Sequence, residues 1–337
     1  MHLKIEHRFS ILEKEKGRYH SFPTLVRQQD QLWLACRSGS VSGRQAHGVD
    51  GKVLLFSAEV TRPDRWISHG SLFEPSADGT CNELDAILSA PETNLFFLAT
   101  RDYVWKERND VYLSKGRTPV LINRRLLTNI SDQYAICFGH IRKTGNGDLL
   151  MPGYCGFSDE PCGTPVLLVS NDRGRTWTFR SKVASSAGVG TRLTEYALGH
   201  LGSSNWTALI RNETPPFNLY RTESHDDGRS WSDPKKTELC GHAPMILESE
   251  SGHGHLVLYR DLGETDPGVA VGLSLDKGAL WERSGRIATY TGSIYDGGYG
   301  DLVQLEKNLY LAVYYLCDED ASPWIEGAVF SIESSSR

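Results

Sequence analysis

The sequence predicts an all-β chain folded as a single six-bladed β-propeller over residues 1–337, and two periodicities carry that prediction. Apolar runs ending in serine recur at Ser57, Ser114, Ser170, Ser224, Ser274 and Ser331, spaced 50 to 57 residues apart. In the same period, six segments read as a strand, a polar turn and a second strand. They are FPTLVRQQDQLWLACR (22–37), DAILSAPETNLFFLATR (85–101), GHIRKTGNGDLLMPGY (139–154), YALGHLGSSNWTALIR (196–211), PMILESESGHGHLVLYR (244–260) and DLVQLEKNLYLAVYY (301–315). A hairpin plus two further strands makes four strands per unit. Radial repetition of four-stranded sheets is the propeller's way of protecting its edges.

The elements follow in order. The N-terminal run FSILEKE (9–15) completes the last unit, which otherwise stops near Ser331. The serine runs supply third strands: KVLLFS (52–57), DVYLS (110–114), PVLLVS (165–170), LYRTES (219–224), VAVGLS (269–274) and GAVFS (327–331). Three of them lead into one octapeptide pattern. It reads Ser170-Asn-Asp172-Arg-Gly174-Arg-Thr176-Trp177, then Ser224 to Trp231, then Ser274 to Trp281 with Asp276 and Gly278 retained. Asp and Gly make a tight turn, the Asp side chain bonds the turn backbone, and Trp packs beneath.

Composition bounds the function. With 39% hydrophobic and 10% aromatic residues, the 337-residue chain can bury a large core. Its 36 basic and 42 acidic residues give a net charge of −6, which argues against a general nucleic-acid binder. No run of 18 apolar residues suggests a membrane span. The N-terminus, MHLKIEHRFSILEKEKG, carries charges where a signal peptide has an apolar run, so a cytoplasmic location is expected. The seven cysteines, with Cys155 and Cys162 the nearest pair, read as reduced thiols. There is no HExxH, no calcium-loop spacing and no phosphate-cradling glycine loop, so neither metal nor cofactor is expected. The oligomeric state is not legible.

The octapeptide resembles the Asp-box, and over its whole length the chain resembles the sialidase (BNR-repeat) superfamily. Asp172, Asp226, Asp276 and their tryptophans are structural in that reading. Strands alternate direction within a blade, so strand-one starts and strand-two ends share one face. The strand-two ends are Arg37, Arg101, Tyr154, Arg211, Arg260 and Tyr315. Like charges converge only where something anionic answers them. Guanidinium forks suit a carboxylate, so an acidic sugar or oligosaccharide is the expected partner. Strand-one starts add Asp85, His140, Glu195, His242 and the segment from Asp296 to Asp301; the loop after Arg37 adds His47 and Asp50.

The resemblance implies roles. Tyr299 in GYGDL matches the nucleophile segment, Glu195 in LTEYAL its glutamate partner, and Arg211 in ALIRNE a carboxylate-binding arginine. Arg260 is a looser counterpart of another such arginine, and Arg37 resembles the accessory arginine. The family's first arginine has no counterpart, because Ser21-Phe22-Pro23 stands there; Arg18 and Arg101 are the available substitutes. Asp50 and His47 compete for the role of acid. A tyrosinate attacking beside a carboxylate-bearing anomeric carbon avoids the repulsion that a carboxylate nucleophile meets, a recognised exception to the two-carboxylate scheme. The implied activity is exo-hydrolysis of sialic acid, of a 2-keto-3-deoxy acid such as Kdo or Kdn, or of a uronic acid. Two other readings stay open. A histidine (His140 or His242) with Tyr299 or Tyr315 could run uronate β-elimination or histidine-dependent hydrolysis; or the propeller binds sugar without chemistry.

Overall fold

The structure is a computed structural model that describes residues 1–42, 45–73, 82–104, 108–120, 122–127, 134–157, 163–249 and 254–333. Nearly every element is an antiparallel strand. The first, β1 (His2–Leu12), finds its partner at the far end of the chain. Next, β2 (Arg18–Gln28), β3 (Gln31–Ser42), β4 (Gln45–Glu59) and β5 (Ile67–Ser71) pair in chain order. So do β6 (Glu83–Glu92), β7 (Leu95–Val104), β8 (Arg108–Gly116) and β9 (Asn123–Leu126). In the third sheet β10 (Tyr134–Cys137) and the short β11 (Arg142–Lys143) both pair with β12 (Leu149–Gly156), followed by β13 (Thr164–Ser170) and β14 (Thr178–Lys182).

A single helical turn, α1 (Ser186–Val189), precedes a run of seven paired strands: β15 (Leu193–Gly202), β16 (Asn205–Asn212), β17 (Asn218–Ser224), β18 (Lys235–Glu248), β19 (His255–Asp261), β20 (Gly268–Ser274) and β21 (Glu282–Thr289). Here β18 serves two neighbours in turn. Its residues up to Cys240 pair with β17, and from Gly241 onward it pairs with β19. The chain ends with β22 (Gly300–Glu306), β23 (Leu309–Leu316) and β24 (Trp324–Glu333), and β1 adds to β24.

Strand alternation explains the packing. On β3, Leu32, Leu34 and Cys36 join Leu311, Val313 and Tyr315 of β23 in one core. The intervening Trp33 and Ala35 join Ala86 and Leu88 of β6, with Phe96 and Leu98 of β7, in another. A sheet covered on both faces reads as near-continuous apolar sequence, and each fully buried leucine stabilises by about 1.5–3 kcal/mol.

The groups also meet one another, mostly through their first strands and, at β15, through the second strand β12. β2 packs against β6 and β22, β6 against β11, β15 against β12 and β18, and β18 against β22. Side chains stitch these seams at the hairpin ends. Gln28 Nε2 donates to Glu92 O (2.8 Å), Arg27 Nη1 to Gln304 O (2.7 Å), and Arg142 Nη2 to Ile246 O (2.7 Å).

The three octapeptide turns share one geometry. Ser170, Ser224 and Ser274 accept from the amides of Gly174, Gly228 and Gly278 at 2.7, 2.8 and 2.8 Å. Asp172, Asp226 and Asp276 accept from the amides of Thr176, Ser230 and Leu280 at 2.9, 2.9 and 2.8 Å. Glycine is required for two reasons. Gly174 and Gly228 have φ of 77° and 76°, and a Cβ there would lie 2.4 Å from Phe97 or 2.3 Å from Leu167. Each turn therefore packs on an earlier strand: the Gly174 turn on β7, the Gly228 turn on β13 and the Gly278 turn on β16, where a Cβ would lie 3.0 Å from Thr207.

Candidate functional site

Strands β2, β6, β15 and β18 are irregular where the site residues leave them. Register shifts fall between Ser21 and Thr24, Leu84 and Ala86, Leu193 and Tyr196, and His242 and Met245. Phe22, Asp85 and Ala243 sit in these bulges at φ of 51°, 57° and 51°, although none is glycine. Bulges re-aim side chains, and positive φ at non-glycine residues gathers where function over-determines the backbone.

Tyr299, Glu195 and Arg211 form the centre. The Tyr299 hydroxyl lies 2.9 and 3.0 Å from the two Glu195 oxygens. Arg211 Nη1 donates to Glu195 Oε2 at 2.7 Å and to the Tyr299 oxygen. Its other arm, Nη2, donates to Glu213 Oε2 at 2.8 Å. Burial pushes the Tyr299 phenol well above the ordinary tyrosine range; Arg211 and Arg260 oppose this and Glu195 adds to it. Tyr299 is held in place through its backbone, since Tyr315 N donates to Tyr299 O (3.1 Å) and Gly298 N to Tyr315 O (2.7 Å).

Arg260 lies against the Tyr299 ring, its guanidinium carbon 4.5 Å from the centroid. It is fully buried, and its Nε and Nη2 donate to the carbonyls of Gly297 (2.5 Å) and Tyr295 (3.1 Å). His242, also fully buried, has Nδ1 3.4 Å from Arg260 Nη1. Burial lowers the His242 pKa strongly, and Arg211 and Arg260 lower it further, so the ring is neutral. Tyr315 belongs to an aromatic wall, with ring centroids 6.2 Å from Tyr299 and 5.5 Å from Phe22.

The other arginines divide. Arg101 pairs with Asp85 at 3.0 Å and stacks 4.8 Å from the Tyr103 ring. Burial raises the Asp85 carboxyl; Arg101 opposes the rise and Glu195 adds to it. Arg37 is enclosed. Its Nε donates to Glu83 O at 2.7 Å and its Nη2 to Asn82 Oδ1 at 2.9 Å. A Cβ on Gly51 would lie 2.5 Å from Arg37 Nε, and one on Gly39 would lie 2.8 Å from Nη2. Burial pulls this guanidinium down to about 10, still protonated at neutral pH.

Asp50 is exposed, at φ 51°, and accepts from Ser40 N (2.7 Å) and Ser40 Oγ (2.9 Å). His47 lies on β4, but its side chain is outside the described residues. His140 is not with Tyr299. Its Nδ1 contacts Leu88 O and its Nε2 contacts Asp301, both at 2.9 Å, and Asp301 also accepts from Leu25 N at 2.7 Å. It lines a cavity of about 590 Å³ shared with hairpin-end residues such as Arg27, Lys143 and Gln304. The Arg27 and Arg142 guanidinia there donate to carbonyls, and Lys143 pairs with Glu92.

Two participants were missed in the sequence, Asn82 and Glu213. Glu213 had a signal: two residues after Arg211 along an extended chain, it returns to the same side. Among the described residues, Cys36, Cys137, Cys240 and Cys317 are free thiols, no cluster of metal-ligating groups is present, and no helix is long and apolar enough to cross a membrane.

No protein-family model and no curated protein matches this sequence. Solved structures do. A protein of unknown function from Dyadobacter fermentans superposes with a TM-score of 0.82 at 15% identity, covering 98% of this chain and 99% of that one. The Hadza microbial sialidase Hz136 gives 0.72 at 14% identity, over 92% of this chain and 65% of that one. The fold is that of the sialidase and arabinanase propellers. The arabinanase is the Penicillium chrysogenum α-L-arabinanase complexed with arabinobiose, at TM-score 0.68 and 10% identity over 98% and 99% of the two chains. At such identities the likeness is one of fold alone.

Proposed function

We propose that the chain is a single six-bladed propeller acting as a glycoside hydrolase that releases an acidic sugar. The blade count is supported by the six strand groups, once β18 is divided at Cys240, and by the contacts among their innermost strands. The three octapeptide turns are read as Asp-boxes.

One observation carries the catalytic reading: the hydroxyl of Tyr299 meets both Glu195 oxygens while Arg211 donates to the same pair. A neutral phenol is a weak nucleophile and needs a base in contact with it. As Tyr299 Oη bonds the anomeric carbon, its proton passes to Glu195, and the glycosidic bond breaks toward the leaving oxygen. An acid on the other side, Asp50 or His47, protonates that oxygen. Water then attacks the anomeric carbon, giving its proton to the residue that protonated the leaving oxygen, while the tyrosyl bond breaks and Glu195 returns its proton to Tyr299, so configuration is retained overall and both groups are reset. Arg260, fully buried and without a carboxylate partner among the described residues, supplies positive charge for an anionic sugar. Arg37 contributes a buried positive charge, and Arg101 acts as the partner of Asp85. Tyr315 walls the pocket.

A histidine mechanism has less support. Both His140 nitrogens face acceptors away from Tyr299, and His242 turns Nδ1 toward Arg260. Product analysis tests the choice. A hydrolase yields a free reducing sugar, a lyase an unsaturated product absorbing in the near ultraviolet, and a binding protein neither.

A further inference from the structure

Arg211 is occupied on both arms. Nη1 serves Glu195 and Tyr299, and Nη2 is held by Glu213 at 2.8 Å. The second Glu213 oxygen accepts from Thr194 Oγ1 at 3.0 Å, beside Glu195 in sequence. A fork presented to a ligand carboxylate needs free N–H groups, and here one of the chain's own carboxylates sits on the outer one. We infer that Glu213 is the specificity-determining residue of this site: it holds the place on Arg211 that the carboxylate of an acidic sugar takes, and such a ligand binds by displacing it. This rests on the acidic-sugar reading above.

Glu213 is the member able to leave. Its side chain is 21% exposed, against 7% for Arg211 and 11% for Glu195. It follows the end of β16 and precedes the exposed Thr214, Pro215 and Pro216. Glu195, by contrast, is held by both Tyr299 and Arg211. Two carboxylates cannot crowd one partly buried N–H without strong repulsion, so ligand and Glu213 exchange. A small carboxylate with no further contacts gains little from that exchange. A sugar acid, which adds hydroxyl contacts, gains enough. A neutral sugar leaves Glu213 where it is.

The test is calorimetric titration of 2-deoxy-2,3-didehydro-N-acetylneuraminic acid, Kdo, glucuronic acid and the neutral methyl arabinofuranoside into wild type, Glu213→Gln and Thr194→Val. Thermal unfolding checks each variant. The expectation is that Glu213→Gln binds the acids about tenfold more tightly, with the neutral glycoside unchanged. Thr194→Val, which releases only the second Glu213 oxygen, should shift acid affinity the same way by less and keeps the question decidable should Glu213→Gln not fold. Equal or weaker acid binding in the variants, with acids bound by wild type, overturns the role of Glu213 alone. Neutral sugar binding with no acid bound by any form overturns the acidic-sugar reading and this inference together.

Discussion

Tyr299 rests as a neutral phenol because burial outweighs the stabilisation that Arg211 and Arg260 offer its anion. Arg211 then does two things at once: it orients Glu195 and it lies against the phenol oxygen. Replacing Arg211 with lysine keeps the charge and loses the fork. Affinity for an acidic sugar is expected to fall by about 1–3 kcal/mol, the scale of a charge-assisted hydrogen bond, and titration of wild type against Arg211→Lys checks it. His140 predicts the opposite profile. It bridges Leu88 O and Asp301, which also accepts from Leu25 N, so it ties β2, β6 and β22 together. His140→Ala should cost about 1.5–3 kcal/mol in urea unfolding and leave sugar affinity unaltered. Lost affinity with unaltered stability would contradict that role. At this scale the sequence shows why Tyr299, Glu195 and Arg211 belong on one face, since strand-one starts and strand-two ends share it. It does not show that Arg37 is enclosed, because Gly39, Gly51 and Asn82 meet only in three dimensions. Nor does it show that His140 meets Leu88 and Asp301 rather than Tyr299.

Among the elements, the octapeptide turns were the most legible, because their hydrogen bonds close within eight residues. The bulges were not, because Phe22, Asp85 and Ala243 give no glycine signal for their positive φ. In the turns, hydrogen bonds from Thr176 and its neighbours hold the Asp172 carboxyl well below the usual range. At Asp226 burial works the other way, but the Ser230 and Ser224 bonds win and bring it to about 2. A depressed carboxyl contributes stability that is complete above its unfolded value, about pH 4, and is lost as pH falls through the folded value. The urea midpoint should therefore drop between pH 5 and pH 2, and Asp226→Asn should flatten part of that drop while costing about 1 kcal/mol at neutral pH. An unchanged slope in Asp226→Asn would remove this turn from the account.

For the whole molecule, tight burial between neighbouring sheets has a second consequence. Burial raises Tyr19, Tyr196 and Tyr299 well above the ordinary tyrosine pKa. A group whose folded value is raised contributes stability that is complete below its unfolded value, about pH 10, and is lost as pH rises beyond it. Ionisation of these three tyrosines, followed as the ultraviolet absorbance change that Tyr19→Phe, Tyr196→Phe and Tyr299→Phe remove, is thus expected to coincide with cooperative alkaline unfolding rather than precede it. The periodicity of the chain shows the hairpins and their order, because each repeat must bury the same faces against its neighbours. The sugar is less legible: the charges converging on Tyr299 are partly neutralised by Glu195, Glu213 and Asp85, and only the folded pairing tells which arginine is left for a ligand. The central claim is that Tyr299 attacks the sugar with Glu195 as its base. The direct measurement is turnover of the 4-methylumbelliferyl glycosides of N-acetylneuraminic acid, Kdn, Kdo and glucuronic acid by wild type and Tyr299→Phe. Wild type should hydrolyse at least one, and Tyr299→Phe should lose at least about 10²-fold in kcat with its thermal midpoint unchanged. Near-full activity in Tyr299→Phe, with His47→Ala inactive, would contradict the account and give the reaction to histidine.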